Sequence, residues 1–274
     1  MELRQASSVE DAAGGLALHG GTEVVPLLRA GLLEAATLVD VRGVVPAGVS
    51  ATTVGAGATL AAIEASAAVP EVLREACRLA ASPQIRNAGS LAGNLLQETR
   101  CWYWRLAYPC RLHGGDECHA REGEHREHAI VANGFCASPH PSDVAAALLA
   151  LDATLVTSKR QLPVGELYRV PSEDDRRVTS LEPGELILSV ELPPADASVY
   201  LKAMERKRFG FPLVGVAAVR AGDSVRMALA GVAPIPWLLG ADELGVATPL
   251  PQNAWKVEVA TALVRRARGE LAAR

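Results

Sequence analysis

Apolar and polar residues follow two different periods along the first part of the chain, which predicts a mixture of short helices and strands. Apolar positions spaced by three and four residues are typical of helices, whereas short alternating runs are typical of strands. The predicted strands are residues 37–41 and 52–58, and the predicted helices are a short opening helix within residues 8–18, the run after Gly21, residues 59–67 and residues 69–81.

The second half of the chain predicts an alanine-rich helix, a small sheet and a closing helix. Ser142 precedes the alanine-rich run and is a suitable N-cap, with a strand expected after the helix. Residues 255–274 have the amphipathic pattern of a surface helix. Four apolar segments between them predict the strands of one small sheet, at residues 186–193, 200–209, 213–219 and 225–233.

Size and charge exclude several classes of function. The 274 residues are 49% hydrophobic, enough for a substantial core in two or three lobes. A formal net charge of -4 provides no basic field to attract nucleic acid or anionic lipid. No segment reaches the roughly 18 to 20 apolar residues that cross a bilayer, and the first residues lack the features of a signal peptide. We therefore expect a cytoplasmic protein, exported only if a partner subunit carries the signal.

Two glycine-containing loops are candidate phosphate sites. Gly20, Gly21 and Thr22 precede one predicted helix, and residues 90–94 form a second loop with a glycine and small neighbours. Backbone N–H groups in such loops bind phosphate oxygens, although each loop taken alone is more often an ordinary turn. Neither loop matches the dinucleotide fingerprint GxGxxG or the P-loop GxxxxGK[ST], so a Rossmann or P-loop fold is not supported.

Four of the five cysteines lie close together in the sequence, which indicates a metal or cluster site. Cys101, Cys110, Cys118 and Cys136 are separated by 8, 7 and 17 residues, unlike zinc knuckles or ferredoxin motifs. Their spacing is compatible with either a [4Fe–4S] cluster or zinc. Additional ligands could come from the neighbouring histidines, which are His113, His119, His125 and His128. The fifth, Cys77, lies in an apolar helical stretch and is expected to be a small buried side chain.

Four segments, in order, resemble the FAD-binding subunits of the xanthine dehydrogenase, carbon monoxide dehydrogenase and aldehyde oxidoreductase family of molybdenum hydroxylases. They are LHGGTEVVPLLRAG, SPQIRNAGSLAGNLLQ, HPSDVAAALLALDATL and LEPGELILSVELP. The resemblance implies an α+β fold: a vanillyl-alcohol-oxidase-like (PCMH-type) FAD-binding domain of two subdomains at 1–165, and a C-terminal carbon monoxide dehydrogenase flavoprotein-like lobe at 166–274 with a three-stranded sheet. The chain departs from the family in the short connection between SVEDA and HGGTE.

The same resemblance implies which residues contact FAD. The first loop would surround the pyrophosphate, and the second loop would contact it from the other side. Ser142 and Asp143 would contact the ribityl and phosphate region. Leu186, Ile187 and Lys202 would cover the flavin, and Lys202 would stabilise its reduced form. In chain order these residues are Leu18, His19, Gly20, Gly21, Thr22, Glu23, Val24, Gly89, Ser90, Gly93, Asn94, Leu96, Gln97, Ser142, Asp143, Leu186, Ile187 and Lys202.

Residues 99–137, hereafter the cysteine loop, resemble the cluster-bearing insertion in the flavin subunits of hydroxybenzoyl-CoA reductase and of a periplasmic aldehyde oxidoreductase. The matching segments are TRCWYWR, PCRLHGGDEC and HAIVANGFC. This resemblance implies that Cys101, Cys110, Cys118 and Cys136 bind one [4Fe–4S] cluster, with the aromatic and arginine side chains around it.

The expected function is therefore that of an oxidoreductase subunit that transfers electrons. A large subunit with a molybdenum cofactor would convert the substrate, a small [2Fe–2S] subunit would relay electrons, and FAD here would exchange them with an external acceptor or donor. No residue of this chain is expected to be catalytic. The main alternative is a scaffold subunit that lacks FAD and is stapled by zinc. A stand-alone flavin oxidase is disfavoured because the chain offers no acid–base pair of its own.

Overall fold

The computed structural model describes residues 1–274 as three β-sheets connected by mostly short helices. The strands are β1 (Glu2–Gln5), β2 (Leu16–Leu18), β3 (Thr37–Asp40), β4 (Thr53–Gly55), β5 (Thr154–Thr157), β6 (Gln161–Pro163), β7 (Ile187–Glu191), β8 (Ala197–Ala203), β9 (Val214–Ala221), β10 (Ser224–Ala230) and β11 (Trp237–Leu238). The helices are α1 (Val9–Ala12), α2 (Val24–Arg29), α3 (Leu60–Ala65), α4 (Glu71–Ala80), α5 (Pro83–Ala88), α6 (Leu91–Leu95), α7 (Trp102–Arg105), α8 (His119–Glu122), α9 (Asp143–Ala150), α10 (Val164–Leu167) and α11 (Trp255–Ala272).

The first sheet is parallel, in the order β1-β3-β2. The helix expected within residues 8–18 ends at Ala12, and residues 16–18 form β2 instead. Gly15 explains the change, because a Cβ atom at this position would lie 2.8 Å from the carbonyl oxygen of Thr37 in β3. The short connection between SVEDA and HGGTE thus contains the strand β2, and the one-turn helix α1 lies in SVEDA itself.

The second sheet is antiparallel, in the order β4-β7-β5-β6. The prediction that residues 186–193 join the small C-terminal sheet was wrong, because β7 pairs with β4 and β5. Val190 lies opposite both Val54 and Leu155, and all three side chains are fully buried. The apolar pattern of a single strand specifies its buried face but does not specify its partner strands.

Helix α9 lies at the centre of the larger hydrophobic core, and all eight of its residues are buried. The Ser142 hydroxyl accepts a hydrogen bond from the backbone N–H of Ala145 at 2.9 Å, so the predicted N-cap is confirmed. The alanines let neighbouring helices and strands approach closely. Cys77 in α4 packs in the same core, and burial raises the pKa of its thiol.

The third sheet is antiparallel, in the order β11-β10-β9-β8, with α11 packed on it. The expected sheet of three strands therefore has a fourth, because the short strand β11 pairs with β10. The apolar face of α11 includes Ala260, Val264 and Leu271, which confirms the amphipathic helix predicted from the sequence. No helix of the structure combines the length and apolar character needed to cross a membrane.

The cysteine loop is ordered but contains little regular structure: α7, α8 and a turn of 3-10 helix at Arg111–His113. Residues 127 and 128 of the loop are held by the C-terminal part of the chain. The buried Lys256 of α11 donates to the carbonyl oxygens of Glu127 (3.0 Å), His128 (2.9 Å) and Gly231 (2.6 Å). The Asn253 side-chain amide also donates to the carbonyl oxygen of His128, at 3.1 Å.

Candidate functional site

Two adjoining cavities form one groove, hereafter the groove, between the first sheet, α6 and the start of β7. One has a volume of about 360 Å³ and the other of about 430 Å³. Four residues line both cavities and mark where they meet; they are Thr22, Glu23, Ser90 and Gly93. The two glycine-containing loops identified in the sequence therefore lie on the same groove.

Most of the sequence-predicted cofactor residues line this groove. These are His19, Gly20, Gly21, Thr22, Glu23, Val24, Gly89, Ser90, Gly93, Asn94, Leu96, Gln97, Leu186 and Ile187. The structure does not place four others on its lining, namely Leu18, Ser142, Asp143 and Lys202. Residues separated by more than 160 positions in the chain are thus brought to one site, as the family resemblance implies.

A row of free backbone donors runs along the first loop. None of the backbone N–H groups of residues 19–23 donates a hydrogen bond to another protein atom, whereas that of Val25 bonds to the carbonyl oxygen of Gly21. Gly21 has a φ of +69°, a left-handed conformation that glycine adopts without strain. Consecutive free N–H groups of this kind form a binding site for an anion such as a phosphate.

At Gly20 the first loop touches Ala88, the last residue of α5, which directly precedes the second loop. A Cβ atom at this position would lie 1.7 Å from the carbonyl oxygen of Ala88 and 2.6 Å from its carbonyl carbon. Only glycine permits this approach of two backbones. The contact holds the free N–H groups of the first loop beside Ser90 and Gly93 of the second.

His19 lines the groove and contains an unsatisfied polar atom. Its Nδ1 atom is buried and has no hydrogen-bond partner within the protein. Burial lowers the pKa of this histidine, and the positive charge of Arg42 acts in the same direction. A buried ring nitrogen without a partner carries a free-energy cost unless a ligand supplies the partner. His19 therefore fits a polar ligand in the groove.

Asp143 and Lys202 form an ion pair inside the protein and do not reach the groove. Lys202 Nζ lies 2.8 Å from Asp143 Oδ2 and donates to the carbonyl oxygen of Leu79 at 2.8 Å, and the Tyr200 hydroxyl donates to Asp143 Oδ1 at 2.5 Å. Burial raises the pKa of Asp143, and the charge of Lys202 opposes this shift only in part. The family resemblance implies that both residues contact the flavin. In the structure they instead pair with each other, away from the groove.

Ser142 reaches the groove indirectly. Its hydroxyl donates to the side-chain oxygen of Asn94 at 2.6 Å while it caps α9. Asn94 lines the groove. The central helix thereby orients one polar side chain of the second loop.

The four predicted ligand cysteines line one small enclosed space. Cys101, Cys110, Cys118 and Cys136 face it together with Trp104, in a segment with no regular sheet or long helix. A hydrogen bond from Cys136 lowers the pKa of the Cys118 thiol, which favours its thiolate form. No group of three or more cysteine, histidine or carboxylate side chains is already arranged at metal-binding geometry.

The histidines of the cysteine loop differ in their surroundings. His128 is buried, and its Nε2 atom lies 3.2 Å from the sulfur of Cys101. His125 bonds to the carbonyl oxygen of Ala120 at 2.9 Å, and His113 packs against Trp104 with ring centres 4.9 Å apart. His119 packs against Tyr108 at 5.4 Å. His128 is thus the histidine in contact with a predicted ligand cysteine.

Two arginines join the groove to the cysteine loop, a link that the sequence analysis missed. Arg100 Nη2 lies 2.7 Å from one carboxylate oxygen of Glu23, and Arg105 Nη2 lies 2.6 Å from the other. The guanidinium of Arg100 also lies 4.8 Å from the ring centre of Phe211, which lines the groove. The sequence signal for this link was an arginine-rich flank around Cys101, with no indication of its partner.

Comparison with known proteins identifies relatives along most of the chain. A family model described as "FAD binding domain in molybdopterin dehydrogenase" matches residues 3–195. The "Aldehyde oxidoreductase FAD-binding subunit PaoB" of Escherichia coli (strain K12) is 35% identical over 255 residues, which cover 86% of this chain and 80% of that relative.

Solved structures show the same fold. A chain of the reconstituted CO dehydrogenase from Oligotropha carboxidovorans superposes with a TM-score of 0.72 at 21% identity, covering 100% of this chain and 98% of that chain. A chain of quinoline 2-oxidoreductase from Pseudomonas putida 86 superposes with a TM-score of 0.69 at 17% identity, covering 99% and 96% of the two chains. The mixed α and β architecture expected from the sequence is thus confirmed by both likenesses.

Proposed function

Because this chain belongs to the family of FAD-binding subunits of molybdopterin dehydrogenases, we propose that it carries FAD as the electron-transfer subunit of a heteromeric molybdenum-containing oxidoreductase. The observation that carries the proposal is the row of free backbone N–H groups at residues 19–23 on the groove. A flavin pyrophosphate carries two negative charges and needs such donors.

The residues of the groove fit the parts of FAD. Residues 19–23 would hold the pyrophosphate, with Ser90 and Gly93 beside them. Apolar side chains of Leu27, Leu186 and Ile187 line the same cavity and would pack against the apolar parts of the cofactor. FAD supplies the conversion between two-electron and one-electron transfer, while this chain orients the cofactor and sets its electrostatic surroundings.

The finer architecture that we propose is the PCMH-type FAD-binding domain of two subdomains, followed by a carbon monoxide dehydrogenase flavoprotein-like lobe. The first and second sheets would form the subdomains that enclose FAD. The boundary predicted at residue 165 stays a prediction. The pairing of β7 with β4 and a family match that extends to residue 195 support a boundary after β7.

We also propose that the cysteine loop holds a [4Fe–4S] cluster. Convergence of Cys101, Cys110, Cys118 and Cys136 on one enclosed space supports this assignment, since four thiolates complete the ligand set of such a cluster. A zinc ion would bind to the same four sulfur atoms and would have a purely structural role, holding the loop together. The cluster is favoured by the resemblance of the loop to known cluster-bearing insertions.

The proposed partners are a large subunit with a molybdenum cofactor, a small [2Fe–2S] subunit and an external electron acceptor or donor. The similar Escherichia coli protein is itself named as the FAD-binding subunit of an aldehyde oxidoreductase. The substrate would be converted on the large subunit, so this chain needs no catalytic acid or base.

The first test is the flavin content of the purified protein. We expect the visible absorption bands of oxidised flavin and close to one FAD released per chain on denaturation, because the groove supplies donors for a full pyrophosphate. If a preparation purified without flavin fails to bind added FAD, the proposed function is wrong.

The second test concerns the metal. After anaerobic purification we expect roughly four iron and four acid-labile sulfide per chain, the composition of one [4Fe–4S] cluster. Cys118→Ser should lose most of the iron. The matched control Cys77→Ser should keep it, because Cys77 lies in α4, in the hydrophobic core and not among the four cysteines of the loop. Stoichiometric zinc without sulfide would establish the structural role of zinc instead.

A further inference from the structure

We propose that Glu23, Arg100 and Arg105 couple FAD binding to the folded state of the cysteine loop. In this role Arg105 is a positioning residue: it neutralises Glu23 at the end of the phosphate-binding row of N–H groups. The inference rests on the proposed binding of FAD by residues 19–23. It goes further, because it makes the affinity for FAD depend on a segment outside the groove.

Glu23 is placed where a free negative charge would oppose the cofactor. It ends the row of free N–H groups at residues 19–23 and lines both cavities of the groove. Its side chain makes no capping hydrogen bond to α2, although Glu23 occupies the N-cap position. A carboxylate beside a doubly charged pyrophosphate repels it, and the repulsion is strong where water is largely excluded. Only 15% of the Glu23 side chain is exposed.

Both carboxylate oxygens of Glu23 are paired with arginines that begin the cysteine loop. Oε2 lies 2.7 Å from Arg100, while Oε1 lies 2.6 Å from Arg105 and also accepts the backbone N–H of Glu98 at 3.2 Å. The carboxylate of Glu98 also lies beside these groups and lines the groove, so two guanidinium groups balance two carboxylates. The arginines thereby remove the negative charge that would otherwise repel an anion at this end of the groove.

The position of Arg105 depends on the fold of the loop. Its Nε atom donates to the carbonyl oxygen of Thr99 at 2.8 Å, and its guanidinium lies 5.1 Å from the ring centre of Trp104. The Thr99 hydroxyl in turn accepts the backbone N–H of Cys101 at 3.1 Å. Arg105 is therefore held by the turn that carries the first predicted ligand cysteine. Loss of order in this turn would release Arg105 and leave Glu23 less neutralised.

Arg105 is a better test residue than Arg100. Arg100 lines the groove and could contact the cofactor itself, whereas Arg105 is not part of the lining. An effect of Arg105 on FAD affinity must therefore pass through Glu23 or through the shape of the loop. A second substitution at Glu23 distinguishes these two routes, because it removes the charge that Arg105 neutralises.

The experiment is a titration of the flavin-depleted full chain with FAD, followed by flavin fluorescence. We expect R105Q to weaken FAD binding about tenfold or more, which corresponds to about 1.4 kcal/mol. The double variant E23Q/R105Q should return to within about threefold of E23Q alone, since both charges of the pair are then absent. R105K keeps the charge and should lose less affinity than R105Q.

The matched control is R111Q. Arg111 lies in the same loop and donates to the carbonyl oxygen of Phe135 at 2.8 Å, but it pairs with no carboxylate of the groove. We expect its FAD affinity to equal that of the unmodified chain. If R105Q and E23Q/R105Q lose affinity equally, or if R105Q binds FAD normally, the inference is overturned. If the unmodified chain does not bind FAD, the proposed function fails instead.

A further arm tests the coupling to the cysteines. C110S disturbs the loop without changing any residue of the groove. We expect C110S to weaken FAD binding in the unmodified chain and to have a smaller effect when combined with E23Q. Equal losses in the two backgrounds, or no loss in either, would show that the loop does not act through Glu23.

Discussion

Replacement of Gly20 by alanine is expected to reduce the affinity for FAD by about 100-fold or more, equivalent to about 2.7 kcal/mol. The added Cβ would lie 1.7 Å from the carbonyl oxygen of Ala88, so the first loop must move away from the end of α5 and from the second loop that follows it. Backbone atoms cannot rotate away as a side chain can, and the free N–H groups of residues 19–23 would move with the first loop. FAD titration of the variant measures the effect.

The matched control for this prediction is Gly48→Ala. A Cβ at Gly48 meets nothing within 4 Å, and its backbone is not in the left-handed region, so FAD binding should be unchanged. Circular dichroism of Gly20→Ala should match that of the unmodified chain, because the clash lies between the first loop and the last residue of α5, outside the hydrophobic core. Normal FAD affinity in Gly20→Ala would mean that this contact is not needed for the cofactor.

Replacement of Lys202 by methionine is expected to destabilise the fold by about 3 to 5 kcal/mol, the usual cost of leaving one member of a buried ion pair unpaired. At most 1% of either side chain in the pair Lys202–Asp143 is exposed, so water cannot take over the lost interaction. Urea unfolding followed by circular dichroism measures the change. The exposed pair Lys159–Glu182 is the control, and Lys159→Met should cost less than about 1 kcal/mol.

The destabilisation in Lys202→Met should depend on pH in a defined direction. Without Lys202, burial raises the pKa of Asp143 in the folded state further above its value in the unfolded chain. The folded state then gains protons as the pH falls, so the deficit in the free energy of unfolding shrinks toward acidic pH. The double variant Asp143→Asn, Lys202→Met should recover part of the loss, since Tyr200 can still donate to the amide oxygen. A deficit independent of pH would contradict this explanation.

The sequence predicted local features and site chemistry better than it predicted contacts across the fold. Ser142 as a helix cap and the two glycine-containing loops follow from residue type and spacing over a few positions. The four cysteines are recognisable because they fall within 36 residues of an otherwise cysteine-poor chain. The cap and the glycine-containing loops are present in the structure because local backbone geometry determines them. The site residues were assigned through the family resemblance.

Other features could not be predicted, because their causes lie in residues distant along the chain. The pattern of β7 shows an apolar strand, but its partners β4 and β5 are fixed only when the sheet assembles. Lys202 is buried and pairs with Asp143, 59 residues away, a partner that no local pattern around either residue indicates. The contact of Arg105 with Glu23 spans 82 residues and needs both loops in place.

The contacts of Lys256 with Glu127 and His128 have a consequence for how the molecule is assembled. These bonds tie the cysteine loop to α11, which begins only at Trp255. A chain is synthesised from its N-terminus, and its domains fold in that order. The cysteines of the loop are therefore made long before the helix that holds the loop in place. Any metal that the loop binds would then be inserted after α11 has been made, and removal of α11 would impair the insertion.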